Sequence, residues 1–221
     1  YAHNLKDMCS LLGDLATRKK KKITLAKEVM LLLDSLHRPV SYHLYKEKQK
    51  RLLEYFSKTK QISGEKVSVE IADLIRDLQV KAEHVFVWLR SHEWLKEGFF
   101  NGYYDNQGEA VEGKRGAVVR MMLASQVFAI ISGGATHAQV RKIWASAKKY
   151  LWDKKRKGFR LNTDFGALCL DFGRAFGFAY GDKENGAFFN HMVILFAYGL
   201  YTRGFVKEGQ EVIRSVYTMA T

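Results

Sequence analysis

The residues best equipped for chemistry lie in two irregular stretches rich in aromatics, glycines, amides and carboxylates. One runs Phe99–Phe100–Asn101–Gly102–Tyr103–Tyr104–Asp105–Asn106–Gln107–Gly108 and leads to Arg120 and then Ser125–Gln126. The other passes from Leu161–Asn162–Thr163–Asp164 through Asp171, Arg174 and Tyr180 to Glu184–Asn185–Gly186, with His191 five residues beyond Gly186. Such mixtures suit sugars: rings cover apolar sugar faces while planar amides and carboxylates pair with hydroxyls. An imidazole at a helix start, beside free backbone N–H groups, suits an anion, and His191 precedes an apolar helical run. Arg120 and Arg174 are anion or sugar contacts by their chemistry alone. Each residue also has a plainer role. A histidine on an apolar helix is usually a satisfied core residue, Glu184 can cap the following helix, Asp164, Asp171 and Asp182 can cap or pair with Arg160 or Arg174, and Tyr103 and Tyr104 can simply pack their own segment. The remaining histidines are scattered without metal-ligand spacing, so no metal site is expected.

Helices must position these stretches, because apolar spacing of three and four residues dominates the chain. Leu5, Met8, Leu12 and Leu15 form one stripe. After the lysine cluster, read as an exposed turn, Leu25, Val29, Leu32, Leu33 and Leu36 predict a second helix starting at Thr24. A third is expected over Ser41–Thr59 with Leu52, Leu53 and Phe56 inward, and a fourth, capped by Ser68, through Ile71, Leu74, Leu78, Val85 and Leu89. Phe99 to Gly113 reads as a short inserted hairpin. One arrangement then occurs twice. A nearly all-apolar helix over Val118–Ser132 ends at Gly133–Gly134, and Thr136 with Gln139 makes a capping box for an amphipathic helix through Val140, Ile143, Trp144 and Leu151. Likewise an apolar helix over Ala187–Tyr201 ends at Arg203–Gly204 and precedes a more polar one through Val212, Ile213 and Val216. An apolar helix is buried all round and its partner faces water, so repeated pairs predict an all-α fold of the (α/α)6-toroid type. About eight helices are expected, fewer than a complete toroid holds, with the short β-hairpin inserted between them.

The 221 residues suffice for one well-buried core. Cys9 and Cys169 make no ligand pair and are expected reduced, pointing to a cytoplasmic location, and no apolar run approaches the roughly 20 residues a membrane helix needs. A net charge of +13, from 36 Lys and Arg against 23 Asp and Glu, raises the question of nucleic acid. The basic residues do not interleave with aromatics, and their main cluster, Arg18 to Lys22, reads as a solvated turn, so neither nucleic acid nor membrane is an expected partner. Helical pattern is already present at Asn4–Met8, which suggests a piece cut from a longer protein.

Glu184–Asn185–Gly186 followed by His191 resembles the Glu-Asn-Gly…His pattern of glycoside hydrolase family 94, the cellobiose-phosphorylase family. Tyr103–Tyr104–Asp105–Asn106–Gln107–Gly108 resembles its Tyr-Asp-Asp-Asn-Gly stretch. Ser125–Gln126–Val127–Phe128–Ala129–Ile130–Ile131–Ser132–Gly133 resembles its Gln-Ser-Trp-Ala-Val-Ile-Ser-Gly stretch. From Asn101 to Tyr217 the chain looks closest to members acting on β-1,2-linked glucans, whereas residues 1–91 match only in helical character.

The resemblance implies inverting phosphorolysis of β-linked glucooligosaccharides to glucose 1-phosphate. Inorganic phosphate attacks the anomeric carbon while one carboxylic acid protonates the leaving oxygen. It implies that His191 contacts phosphate and that Glu184, Gln126, Tyr104, Asp105 and Arg174 line the sugar site. No cofactor is implied beyond phosphate as co-substrate, and a homodimer is compatible with it. The family's Asp-rich general-acid segment has no counterpart here, so no catalytic residue is assigned in this chain. One region is taken as a partial toroid catalytic domain over 1–221, expected to be inactive alone. The competing readings are a toroid hydrolase using Asp171 and Glu184, and a non-catalytic carbohydrate-binding module. The phosphorolysis reading requires Glu184 and His191 to open onto a shared hollow.

Overall fold

Seven α-helices, three short 3-10 helices and three two-stranded antiparallel pairs make up the computed structural model, which describes residues 1–41 and 43–220. The described residues divide into two compact units, Tyr1–Val87 and Trp88–Thr221. No helix among them is long and apolar enough to cross a membrane.

The first unit departs from its expected elements. After α1 (Ala2–Thr17), the expected second helix is instead β1 (Lys22–Ala26) followed by a 3-10 helix (Lys27–Leu32). The expected cap residue Ser68 lies inside β2 (Lys66–Glu70), which pairs with β1 in the register Ile23↔Val69 and Leu25↔Val67. Both segments alternate apolar and polar residues with period two and carry β-branched side chains. That local alternation, not the sparser three-and-four spacing of Leu25 and Val29, decides their form. Between them α2 spans Tyr45–Lys58. The expected helix over Ser41–Thr59 begins later, and its Tyr42 lies outside the described residues. The inward face predicted for α2 is also wrong: Leu52, Leu53 and Phe56 are exposed, while Arg51 is the buried residue. Arg51 donates to Glu54 and to the Arg38 carbonyl, so α2 is held on its polar side. The core of this unit joins α1 to α3 (Ile71–His92) through Leu5, Leu12, Leu74, Leu78 and Phe86. Buried Asp77 accepts from Ser35 N and Oγ at 2.9 Å and pairs with Lys81, which also reaches Asp34 at 3.3 Å.

The second unit carries the two expected helical pairs: apolar α4 (Leu123–Ile131) with amphipathic α5 (His137–Tyr150), and apolar α6 (Asn190–Thr202) with amphipathic α7 (Val206–Ala220). These are inner–outer hairpins of an incomplete helical toroid. Both apolar helices start later than expected: Val118–Arg120 forms β4, paired with β3 (Gly113–Arg115) across Gly116, and the Ala187 carbonyl accepts from Leu161 N ahead of α6. The Thr136–Gln139 capping box is present in both directions. Val127, Ile130, Ile143, Phe159, Phe196, Leu200 and Val212 are fully buried in one cluster, and each such side chain contributes about 2 kcal/mol by leaving water. The inner helices meet closely at Gly199, where a Cβ would sit 3.1 Å from Ile130 and Ile131. A tight turn, β5 (Trp152–Asp153) to β6 (Gly158–Phe159), follows α5.

Candidate functional site

The stretch between α3 and α4 is tied down from several directions. Asn101 N donates to the Glu93 carbonyl at 2.8 Å and Val111 N to the Tyr103 carbonyl at 2.9 Å, while Tyr104 and Ala110 form an isolated bridge, the expected short hairpin in reduced form. Asp105 Oδ1 accepts from Gln107 N at 2.9 Å and Glu109 N at 2.8 Å, closing the turn at its tip. The half-exposed Tyr104 donates its hydroxyl to both Glu93 carboxylate oxygens, at 2.8 and 2.7 Å. Burial, then the hydrogen bond and charge of Glu93, push its phenol above the usual range. Tyr103 turns inward, its hydroxyl bonded to the Phe172 carbonyl.

Beneath this stretch lies Glu112, 1% exposed, a residue that sequence reasoning passed over. Its carboxylate accepts four hydrogen bonds: Gly102 N and Ser125 Oγ at 2.7 Å on Oε2, Met122 N at 2.7 Å and Gln126 Nε2 at 3.3 Å on Oε1. Burial pushes its carboxyl up to about 7, with these four bonds acting the other way. Gln126, also fully buried, accepts from Phe100 N at 2.8 Å and donates back to the Phe100 carbonyl at 2.9 Å. The structure therefore places Gln126 as a clamp on the aromatic stretch, with its polar atoms engaged by the protein. Only Ser125–Gln126 stood out in the sequence. An acid between Val111 and Gly113 carries no motif, and its partners lie 10 to 14 residues away.

The second stretch is organised by two buried amides. Asn162 Oδ1 accepts from Gly186 N at 2.8 Å, and its Nδ2 donates to Asn185 Oδ1 at 3.0 Å and to the Thr163 carbonyl at 2.9 Å. Asn185 Nδ2 donates to the Phe178 carbonyl at 2.7 Å. Arg160 Nη1 holds the Gly186 carbonyl at 2.8 Å, its other nitrogens bind Asp153 at 2.9 and 2.7 Å, and its guanidinium lies 4.6 Å from the Phe188 ring. Gly186 has φ +74 and faces the Tyr180 ring, so no side chain fits there. The Asn and Gly of the Glu184–Asn185–Gly186 motif thus shape the turn, leaving Glu184 as its free chemical group. Glu184 Oε1 lies 3.7 Å from Arg174 Nη2, and Oε2 is shielded from solvent with no hydrogen-bond partner among the described residues. Arg174 itself is exposed, its guanidinium 5.6 Å from the Phe178 ring.

The two stretches meet over an aromatic cluster of Tyr103, Phe165, Phe172 and Phe176. Arg120 lies across it, 5.1 Å from the Phe165 ring and 5.2 Å from that of Phe172, with a buried Nε that has no hydrogen-bond partner among the described residues. Backbone bonds lace them further, Leu123 N to the Leu161 carbonyl at 2.8 Å and Thr163 N to the Met121 carbonyl at 3.0 Å, while Leu161 N to the Ala187 carbonyl at 2.9 Å closes the second stretch on itself. Tyr103 bonds to Phe172, two residues before Arg174, which in turn reaches Glu184, so the two stretches form one linked wall.

His191 stands exposed in the first turn of α6, its ring 4.5 Å from that of Phe189. Among the described residues no hydrogen bond, ion pair or ring contact joins it to Glu184. A cavity of about 430 Å³ borders Asn190 next to it and is lined also by Lys155, Arg156 and Phe188, but not by His191 or Glu184. Asp171 is exposed on a short 3-10 turn, and Asp164 Oδ1 accepts from Gly166 N at 2.8 Å. Among the described residues, no three His, Cys, Asp or Glu side chains converge as metal ligands.

On the helical toroid this region gathers rings, guanidinia and a carboxylate oxygen with no hydrogen-bond partner among the described residues. Residues 53–208 match the model of the glycosyl hydrolase 94 superfamily, catalytic domain. The chain belongs to that superfamily, and its chemistry is therefore directed at glycans. No curated protein matches it.

Proposed function

We propose that this chain supplies part of the substrate site of an inverting glycoside phosphorylase acting on β-linked glucooligosaccharides, with β-1,2-linked glucans as the preferred class. The observation that carries the reading is Glu184. Its turn is built by Asn162, Asn185, Gly186 and Arg160, yet its own Oε2 has no hydrogen-bond partner among the described residues. A shielded carboxylate oxygen without a donor costs free energy, which a sugar hydroxyl donating to it would recover. Tyr104 on the aromatic stretch and Arg174 near Glu184 both stand exposed, and a ring and a fork of N–H donors suit a pyranose. The cavity beside Asn190 is lined by neither Glu184 nor His191, so the shared hollow that this reading requires is completed by the part of the enzyme that also supplies the acid. There His191, exposed at the start of α6, binds the attacking phosphate with help from the helix's first N–H groups. Phosphate forms the new bond at the anomeric carbon with inversion as the glycosidic bond breaks, and a carboxylic acid donates a proton to the departing oxygen.

None of the carboxylates described here is placed as that acid. Glu112 is sealed, Asp105 is occupied by turn N–H groups, and Glu184 lies beside Arg174. The proton donor is assigned elsewhere in the functional enzyme. The pure 221-residue chain is then expected to bind without turning over, and no glucose 1-phosphate should appear from sophorose-type glucans. Calorimetric titration tests the binding. Sophorose affinity should drop on Glu184→Ala, and phosphate affinity on His191→Ala. The reading fails if the two variants bind both ligands as the parent does, or if the parent binds neither. Glycan cleavage by the chain without phosphate would instead favour a hydrolase.

A further inference from the structure

The wall described above has one buried ionisable group beneath it, and its bonding pattern is asymmetric. Of the four groups that donate to Glu112, three can only donate: the Gly102 and Met122 backbone N–H groups and the Gln126 amide nitrogen. Ser125 alone carries a hydroxyl that can turn round and accept. Gly102 has no side chain to spare either, since a Cβ there would lie 2.6 Å from Ser125 Cβ and Oγ. The aromatic stretch is therefore pressed against the start of α4 with the Glu112 carboxylate as the tie between them. Among the described residues no ion pair involves Glu112. The charged groups on the elements packed around it are Glu93, reached only through Asn101 Nδ2 at 3.2 Å, Glu97 beyond Gly113, and Arg120 opposite Gly113 on β4. None of them bonds to the Glu112 carboxylate.

We infer that Glu112 is a proton-operated positioning residue: its charged form clamps Gly102, and with it Tyr103 and Tyr104, to the start of α4, and adding a proton loosens that clamp. The inference rests on the carbohydrate reading only for what the stretch is positioned to do. The chemistry is simple. A proton on Oε2 has one acceptor within reach, Ser125 Oγ. Once Oε2 is a donating hydroxyl, Gly102 N–H faces a neutral and poorer acceptor, whereas Met122 N–H still meets the carbonyl-like Oε1. Hydrogen bonds to charged groups exceed those to neutral ones by enough to change local opening about tenfold. The carboxyl of Glu112, raised by burial to about 7, puts the change near neutrality.

Amide hydrogen exchange on the full 221-residue chain, each rate divided by the intrinsic one, reads the clamp without any substrate. Between about pH 8.5 and about pH 5.5, Gly102 protection should fall about tenfold, and more than that of Met122. In Glu112→Gln, a permanently neutral side chain, Gly102 protection should be low and independent of pH. A flat Gly102 profile in the parent overturns the inference, as does an equal fall at Met122 or an unchanged fall in Glu112→Gln. Should that variant not fold, the parent decides alone. The carboxyl carbon of Glu112 and the amide of Gly102 must titrate with one midpoint in NMR spectra, and separate midpoints overturn the assignment. Sophorose affinity should follow that midpoint, and a flat affinity while Gly102 titrates removes the positioning role. Absence of sophorose binding at every pH, with Gly102 still titrating, counts against the carbohydrate reading alone.

Discussion

The two stretches that form the wall are braced by different chemistry. Beneath the aromatic stretch, a buried carboxylate gathers four donors. Beneath the Glu184 turn, two buried amides, Asn162 and Asn185, satisfy donors and acceptors alike. An amide brings its own donor and acceptor and holds them at any pH, so its network is closed and fixed. A carboxylate offers more acceptor capacity, and several backbone N–H groups can converge on it, but at the expense of dehydrating a charge. The amide brace is therefore rigid, and the carboxylate brace is responsive. The residue carried by the rigid one, Glu184, is the one that the carbohydrate reading needs at a fixed place.

The strongest way to break the rigid brace is at Gly186. An alanine there must hold φ +74 and drive its Cβ into the Tyr180 ring. Together these cost about 3 kcal/mol, read as a lower denaturant midpoint at unchanged slope. Glu112 comes next, through pH. Its folded-state carboxyl lies above its usual 4.5, at about 7, so the folded chain holds this proton more tightly than the unfolded one. The resulting stability is fully present below about pH 4.5 and is lost as pH rises through about 7, a change of about 3 kcal/mol, which Glu112→Gln should abolish. Global stability and Gly102 protection then move in opposite directions with pH, which separates the dehydration of the charge from its bonding. Asn162→Ala follows at about 2 kcal/mol, because Gly186 N–H and Asn185 Oδ1 both lose a partner. That loss should be the same at each end of the pH range in chemical denaturation, and a pH-dependent loss would erase the contrast between the braces.

How far these features could be read from the chain follows from the distance over which each is decided. Helices α4 to α7 were legible because apolar spacing and the Thr136–Gln139 box act within a few residues. β1 and β2 were misread because five-residue alternations sit inside a background of three-and-four spacing, and only their mutual pairing selects the strand form. The stripe of Leu52, Leu53 and Phe56 was legible as amphipathic, but which side the protein buries depends on Arg38 and Glu54 holding Arg51. At the wall, the spacing of Glu184 and His191 singled out the second stretch through its family resemblance, not through the turn that the structure shows there. What the sequence hid was the identity of the builders. Asn162 acts on Gly186 across 24 positions, and Glu112 binds partners that share no motif with it.

The smallest expected effect probes the responsive brace at its one adaptable member. Ser125→Ala keeps the Cβ that packs against Gly102 and removes only the hydroxyl. Above the midpoint the charged carboxylate loses one of four donors. Below it, the acid proton loses its acceptor. Both protonation states are weakened, so stability should drop by about 1 kcal/mol at both ends of the range while its slope with pH changes little. Glu112→Gln removes the slope, whereas Ser125→Ala lowers the curve and preserves its shape. Denaturant melts at about pH 5.5 and about pH 8.5 distinguish the two. A Ser125→Ala curve that drops only at high pH would mean that the hydroxyl never accepts, and that the proton on Glu112 is held by another group than the one identified here.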